Sequence, residues 1–351
     1  MLFGGQSAEH EVSIASARAI YRAIDKALYD VTLIRITQNG AWMLHNLPPG
    51  GTWSESDAGR QVRLVPGAGR GALITATPPY EAACMFDVAF PVLHGSNGED
   101  GAVQGLLQMY GIAFVGAGVL GSAIGMDKDV MKRLLLQAGL PAAKGLVLHK
   151  GAVADDAYDQ CTQALGSPLF LKPANTGSSV GISKVTRRES FLAALDRAFA
   201  YDNKVVVEEF IDGREIECAV IGGDPPRVSV AGEIVTTHEF YSYQAKYEDE
   251  SATSLIIPAD ISAAADARIR ELAIRGYRVL CCTGMARMDF FLDKAGALWI
   301  NEINTIPGFT RQSMFPLLWA HSGLSFPDLI DVLITDALER HRQAVRLRRN
   351  R

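Results

Sequence analysis

Apolar and polar positions in the first third of the chain repeat with short periods. Residues 1–24 read as the end of a strand, a Gly4-Gly5 turn and a helix whose apolar face runs from Val12 through Ala15 to Ala19. Residues 29–36 (YDVTLIRI) predict a second strand and Asn39-Gly40 a turn. The stretch 46–77, rich in Gly and Pro with weak periodicity, predicts a loop-rich insertion. The run 86–93 (FDVAFPVL) is almost continuously apolar, as a buried parallel strand is. It delivers HGSNGEDG at its carboxyl end, where ligands gather on such sheets. A helix over 104–110, a short strand in GIAFVG and the stretch GSAIGMDK lead out of this unit.

Beyond it, Asp127 predicts an N-cap, 128–137 a helix, and Gly139 with Pro141 its stop. Residues 167–172 are strand-like, PANTGSSVG (173–181) forms a glycine and hydroxyl loop, and 182–185 is another strand. An amphipathic helix over 189–200 precedes a β-rich strand over 204–211 with an exposed polar end, and a further strand covers 228–235. Residues 239–259 are too irregular for helix or strand and long for a loop, the pattern of a lid or an interaction loop. A long helix spans 262–280, and Ser325 with Pro327 starts a terminal helix through Glu339. Between these helices, 285–292 and 298–304 flank the turn DKAG as a β-hairpin. With Lys294 and Ala295 as its loop, facing positions sum to an odd number, so Arg287 and Asp289 share a sheet face with Glu302 and Asn304.

Composition narrows the class. A chain of 351 residues with 48% apolar content supports two or three domains. The net charge of -5 argues against a nucleic-acid binder despite the basic stretch RHRQAVRLRRNR at 340–351. Five cysteines in no metal-type spacing, with Cys281 and Cys282 adjacent, argue against a disulfide framework or a zinc site and fit a reducing cytoplasm. No signal-peptide pattern opens the chain and no apolar run is long enough to span a bilayer, so a soluble, cytosolic protein is expected.

The candidate chemistry lies on the hairpin. Hard oxygen donors with no His or Cys beside them suit Mg²⁺, which binds through one or two carboxylates together with substrate phosphates. For an isolated Asp and Glu, a solvated salt bridge is the simpler reading. Lys128, in the first turn of a helix, is unfavourable there unless an anion is near. The loop after Lys172 lacks the GK[ST] ending of a Walker A motif but can cradle phosphate with backbone N–H groups; otherwise it is an ordinary hairpin loop. Glu9 alone is a first-turn helix carboxylate, and His94 a turn residue.

Taken together, RMDFF, NEINTIPGFT, FGGQSAEHEVS, HGSNGEDG, the lysine pair, the glycine-serine loop and AKY occur in an order that resembles the D-alanine:D-alanine ligases of the ATP-grasp superfamily over nearly the whole chain. The resemblance implies an α+β, three-domain ATP-grasp fold: a mainly parallel N-terminal α/β domain (1–117), a central subdomain (118–212) and a C-terminal domain (213–351), the last two clamping ATP. It implies an ATP-dependent joining of two D-alanines through an acyl phosphate, with two Mg²⁺ or Mn²⁺ ions per site, in a cytoplasmic homodimer serving peptidoglycan synthesis.

Carried over residue by residue, Asp289, Glu302 and Asn304 would hold metal, and Lys128, Lys172, Ser178, Ser179 and Lys246 would serve the phosphates. Glu208, Glu209, Phe210, Ile211, Glu215, Phe291, Asn301 and Glu302 would surround the nucleotide, with an acid among them on the ribose. Glu9 and His94 would face the first D-alanine. Arg287 and the Gly308 N–H would stabilise the oxyanion, and Ser313 with the Met314 N–H would take the second carboxylate. Tyr247 would join Glu9 and Ser178 in a lid network, favouring dipeptide over depsipeptide. Before the glycine turn the family carries several more β residues than this chain, implying either an upstream start or a shortened sheet edge. A different carboxylate–amine ligase of the same superfamily would change Glu9, His94 and Ser313, and a non-catalytic nucleotide sensor would lose a metal ligand or Arg287.

Overall fold

The structure, a computed structural model, describes residues 1–45, 59–66, 70–236 and 253–347. The chain opens with β1 (Leu2–Gly4) and α1 (His10–Ala23). There follow β2 (Leu33–Ile36), β3 (Trp42–His45), β4 (Arg60–Leu64), β5 (Gly71–Thr75), β6 (Ala82–Phe86), β7 (Val88–Ala89) and β8 (Pro91–Val92). They make a sheet of order β6-β5-β4-β3-β2-β1-β8, with β7 set aside on β9 (Ala113–Phe114). The parallel pairing is confined to β2-β1-β8, and antiparallel pairs carry the sheet outward from β2 through β6. Short as it is, β1 lies inside the sheet with a partner on each side.

Three details differ from the expectations. The insertion at 46–77 is partly strand, in β4 and β5. The apolar run at 86–93 is broken into the end of β6, which pairs antiparallel, and β7 and β8, which pair parallel with different partners. The buried face of α1 is Ser13, Ile14, Ser16, Ala17 and Ile20, whereas Ala15 is exposed. That face includes serines because they bind backbone: the Ser13 hydroxyl accepts from Gly4 N–H at 2.7 Å and donates to Val92 O.

The next elements are α2 (Ala102–Met109), α3 (Val119–Met126) and α4 (Lys128–Gln137), then β10 (Gly145–His149) and α5 (Ala157–Leu165). With β11 (Leu169–Pro173), β12 (Ser183–Val185), α6 (Arg188–Phe199) and β13 (Lys204–Glu209) they lead into a second, antiparallel sheet ordered β10-β13-β11-β12. The third sheet, also antiparallel, uses β14 (Gly213–Ile221), β15 (Arg227–Thr236), β16 (Thr253–Ile256), β17 (Met285–Asp293) and β18 (Leu298–Asn304) in the order β16-β15-β14-β17-β18. Helices α7 (Ala263–Val279), α8 (Met314–His321) and α9 (Phe326–Arg346) complete the chain. The terminal helix runs on from Glu339 to Arg346, so the basic stretch is partly helical. β16 claims part of the segment expected to be irregular. Among the described residues no single helix is long and apolar enough to cross a membrane.

Four apolar clusters hold these layers. One belongs to the first sheet and α2, another to the second sheet with α5 and α6. The third joins α4 and α7 to the third sheet, through Met131, Leu135, Ile269 and Tyr277. The fourth is shared: Ile14, Ala17 and Ile20 of α1 pack with Phe309, Phe315, Trp319 and Leu333. The first and last helices are therefore bound into one core, and α4 belongs by packing to the third sheet although it precedes the second in sequence.

Candidate active site

The β17–β18 hairpin sets the centre. Its turn has three residues, Lys294 to Gly296, with Gly296 left-handed (φ 84°) and the Asp293 carboxylate accepting the N–H groups of Ala295 and Ala297 at 2.9 and 2.8 Å. This is one residue more than the predicted loop, and a bulge between Asp289 and Phe290 restores the parity. Arg287 thus faces Asn304 and Asp289 faces Glu302 on a common face, as expected. The Arg287 guanidinium donates to both Asp289 oxygens at 2.7 Å and lies 2.8 Å from Glu217 on β14. Burial opposes its charge, and Asp289 and then Glu217 more than restore it, raising Arg287 well above its ordinary value. Asn304 donates its amide to Asp289 at 2.9 Å. Two carboxylates and an amide on one face are a hard-oxygen donor set, which fits Mg²⁺ by chemistry. Arg287 and Asn304 both bond Asp289 on that face.

Helix α4 brings the lysines. The Asp127 carboxylate caps it, accepting from Asp129 and Val130 at 3.1 and 3.0 Å, as predicted. Lys128 donates to Thr176 O at 2.6 Å and stands 4.0 Å from Glu302. Lys172, on β11, bonds Glu208 at 2.8 Å and reaches Asn301 at 3.4 Å. Glu208 corrects the expectation of an exposed polar strand end. It is only 2% exposed, because α4 lies over β13 and sets Lys132 2.7 Å from its other oxygen. Glu209 accepts Lys144 N–H at 2.7 Å, and Phe210 stacks on Phe170 at 5.8 Å between ring centroids.

Ser178 and Ser179 stand in the left-handed region, with φ of 51° and 60°, at the tip of the glycine loop. The Ser178 hydroxyl donates to Glu9, which is buried and immediately precedes α1 rather than lying in its first turn. Lys128, Lys172, Ser178, Ser179, Glu208, Glu209, Phe210, Ile211, Glu215, Asp289, Phe291, Asn301 and Glu302 line one cavity of about 390 Å³. Asn304 does not line it and meets it through Asp289. Lys246 and Tyr247 lie outside the described residues.

The first sheet reaches the same place from the other side. His94 is buried, its Nδ1 2.9 Å from Ile306 O and its Nε2 3.2 Å from Ser16 Oγ; Ser16 also accepts the Phe309 N–H at 3.2 Å. Burial lowers the His94 pKa against the pull of Glu9. Glu99 accepts the N–H groups of Gly95 and Ile306 at 2.8 and 3.2 Å. The turn after β18 is thereby docked on the loop after β8. Gly308 lies in this turn, where an added Cβ would stand 2.9 Å from Ser313 Oγ. Ser313 precedes α8, its hydroxyl accepting from Thr310 N–H at 3.0 Å, and Met314 is the first helical residue with its side chain in the shared core.

Sequence reasoning missed Lys132, Glu99, Glu217 and Ser16. Lys132 follows Lys128 by one helical turn, and Glu217 follows Glu215 by one strand period, so both spacings were visible in the sequence. Glu99 and Ser16 act by docking on the distant turn at 306–309, which no local spacing reveals.

Two sheets closing on a lysine-lined cavity, with a glycine-hydroxyl loop over it and carboxylates beneath, define a ligase of the ATP-grasp class. The first 117 residues match the family model for the D-ala D-ala ligase N-terminus, and residues 134–335 match that for its C-terminus. The chain belongs to the D-alanine–D-alanine ligase family. It is 49% identical over 357 residues to D-alanine–D-alanine ligase A of Chromobacterium violaceum, covering 100% of this chain and 97% of that one. With D-alanine–D-alanine ligase A of Escherichia coli the identity is 47% over 348 residues, covering 97% and 95%. Among solved structures, the D-alanine-D-alanine ligase of Coxiella burnetii superposes with a TM-score of 0.86 at 35% identity, covering 98% of this chain and 94% of the other. The VanG D-Ala:D-Ser ligase of Enterococcus faecalis gives 0.85 at 36%, covering 96% and 98%.

Proposed function

We propose that this protein joins two D-alanines into D-alanyl-D-alanine at the expense of ATP, supplying peptidoglycan precursors. The single observation that carries this reading is the convergence of Lys128, Lys172, Asp289, Asn301 and Glu302 on one cavity with Ser178, whose hydroxyl reaches Glu9. In the reaction a carboxylate oxygen of the first D-alanine takes the γ-phosphoryl group and ADP leaves. The amine of the second D-alanine then attacks the carbonyl carbon, phosphate departs and the amine loses a proton. Lys128 and Lys172 would orient and neutralise the phosphates, where catalysis is mainly positioning and electrostatics. Enzymes of this family are ATP-dependent and generally need Mg²⁺. Asp289, Glu302 and Asn304 would hold it, and when bound it would offset the charge of the transferring group.

Glu9 would take the ammonium of the first D-alanine and His94 would line its place. Arg287 and the Gly308 N–H would stabilise the tetrahedral oxyanion, and Ser313 with the Met314 N–H would hold the second carboxylate. On the nucleotide, Ser179 would contact phosphate; Glu208, Glu209, Phe210, Ile211, Glu215 and Phe291 would surround the base and ribose. Lys246 and Tyr247 would complete the site from the lid. Two ions per site, Mn²⁺ in place of Mg²⁺, a homodimer and a cytoplasmic location rest on the family resemblance. The division into 1–117, 118–212 and 213–351 is supported by the three larger sheets in chain order, with the cavity proposed for the nucleotide lined by residues of the second and third. Phosphate release tested with D-alanine, L-alanine and D-serine decides the reading: release specific to D-alanine, with the dipeptide as product, is expected, and release indifferent to the amino acid would exclude it.

A further inference from the structure

Lys132 lies behind the cavity wall and does not line it. It projects from α4 one turn after Lys128, is 5% exposed, and sets its ammonium 2.7 Å from Glu208 Oε1. The other oxygen of Glu208 holds Lys172 at 2.8 Å. One carboxylate between two ammonium groups leaves this cluster with a single net positive charge, and of the two lysines it is Lys172, itself only 8% exposed, that lines the cavity and reaches Asn301.

The geometry points to Lys132 as a positioning residue for the nucleotide: by pairing its charge with Glu208 from behind, it leaves the charge of Lys172 available to the phosphates and fixes that lysine on the cavity wall. The inference rests on the nucleotide reading above. Without Lys132, Glu208 and Lys172 would form a self-neutralising buried pair, and an incoming phosphate would compete with a carboxylate for the only cation left in the cluster. The local charges support the same view. Burial lowers Lys132 to about 8, only partly offset by Glu208 and aggravated by Lys172. Burial of Lys172 is outweighed by Glu208, then by Glu302 and Glu215, so that lysine is raised. The charged groups facing Lys132 are Glu208 from β13, Lys172 from β11 and Glu302 from β18.

The role is tested on the full-length enzyme by titrating ADP calorimetrically into wild type, Lys132→Met and Lys132→Arg between pH 7 and pH 9.5. Lys132→Met keeps Glu208 paired with Lys172, so it leaves no uncompensated charge, and thermal melting verifies that it folds. Its ADP affinity should fall by about tenfold or more, the equivalent of one charge-assisted hydrogen bond, while the KM for D-alanine stays within about twofold. Lys132→Arg should bind ADP within about threefold of wild type. Wild-type affinity should itself fall as the pH passes about 8 and Lys132 loses its proton, and Lys132→Arg should lack that fall. A Lys132→Met enzyme matching wild type in ADP affinity and pH profile, beside a wild type that makes the dipeptide, would overturn the role of Lys132 alone. A wild type showing these ADP responses but making no dipeptide would overturn the ligase reading alone.

Discussion

Glu99 carries an ionisation that no motif announces. Burial first, then the nearby charge of Glu9, push its carboxyl up to about 8, against the Gly95 and Ile306 N–H groups and Arg287, which pull it down. A carboxyl raised from 4.5 to about 8 is protonated in the native state where the unfolded chain would release the proton. Its contribution to stability is complete below about 4.5 and is lost as the pH rises through about 8. Glu99→Gln imitates the neutral form, so urea midpoints of the variant should decline less than those of wild type between pH 5 and pH 8. Parallel declines would show that Glu99 does not bear the proton. At this scale the sequence spoke through types and spacings. Asp289, Glu302, Asn304 and Arg287 stood out as a hard-oxygen and guanidinium set on two neighbouring strands. Glu208 was misread because its burial comes from α4, a helix some seventy residues earlier, lying over the strand end.

Elements were legible where a local signal fixes them. Helix α4 occupies the predicted 128–137 because the Asp127 cap and the stop at Gly139 are local chemistry. The hairpin register came out on the right face through two offsets that cancel, a longer turn and a bulge, so its parity was right for a reason the pattern did not contain. The face of α1 failed because period counting treats serine as polar and outward, whereas Ser13 and Ser16 are turned inward to backbone groups. This has a measurable consequence. Ser13→Ala would strip a partner from both the Gly4 N–H and the Val92 carbonyl, on β1 and β8, inside a core that excludes water. A loss of about 1–3 kcal/mol is expected, the cost of leaving buried polar groups unpaired. Denaturation should report it, with ADP affinity unchanged; a variant as stable as wild type would mean that these groups find other partners.

On the scale of the molecule, the order of the three sheets was visible in the sequence, but their mutual fastening was not. The core shared by α1, α8 and α9 joins residues more than 280 positions apart, and α4 leaves its sequence neighbours to pack on the third sheet. The glycine loop is the crossing point of this arrangement. Ser178 rides on the second sheet and Glu9 on the start of α1, 169 residues away, yet the hydroxyl donates to the carboxylate. Glu9 is 7% exposed, so the bond is partly shielded from water and should be worth about 1.5–3 kcal/mol, the range for a hydrogen bond to a charged group. A double-mutant cycle separates that coupling from the separate effects of each side chain. Wild type, Glu9→Ala, Ser178→Ala and the double variant, unfolded in urea, should give single losses that exceed the double loss when added, by about 1 kcal/mol or more. The sign follows from the geometry: once either partner is gone, removing the other costs only its own burial. Losses that simply add would mean that the loop stands away from α1 in the free enzyme, and that the contact forms only when a substrate closes the cleft.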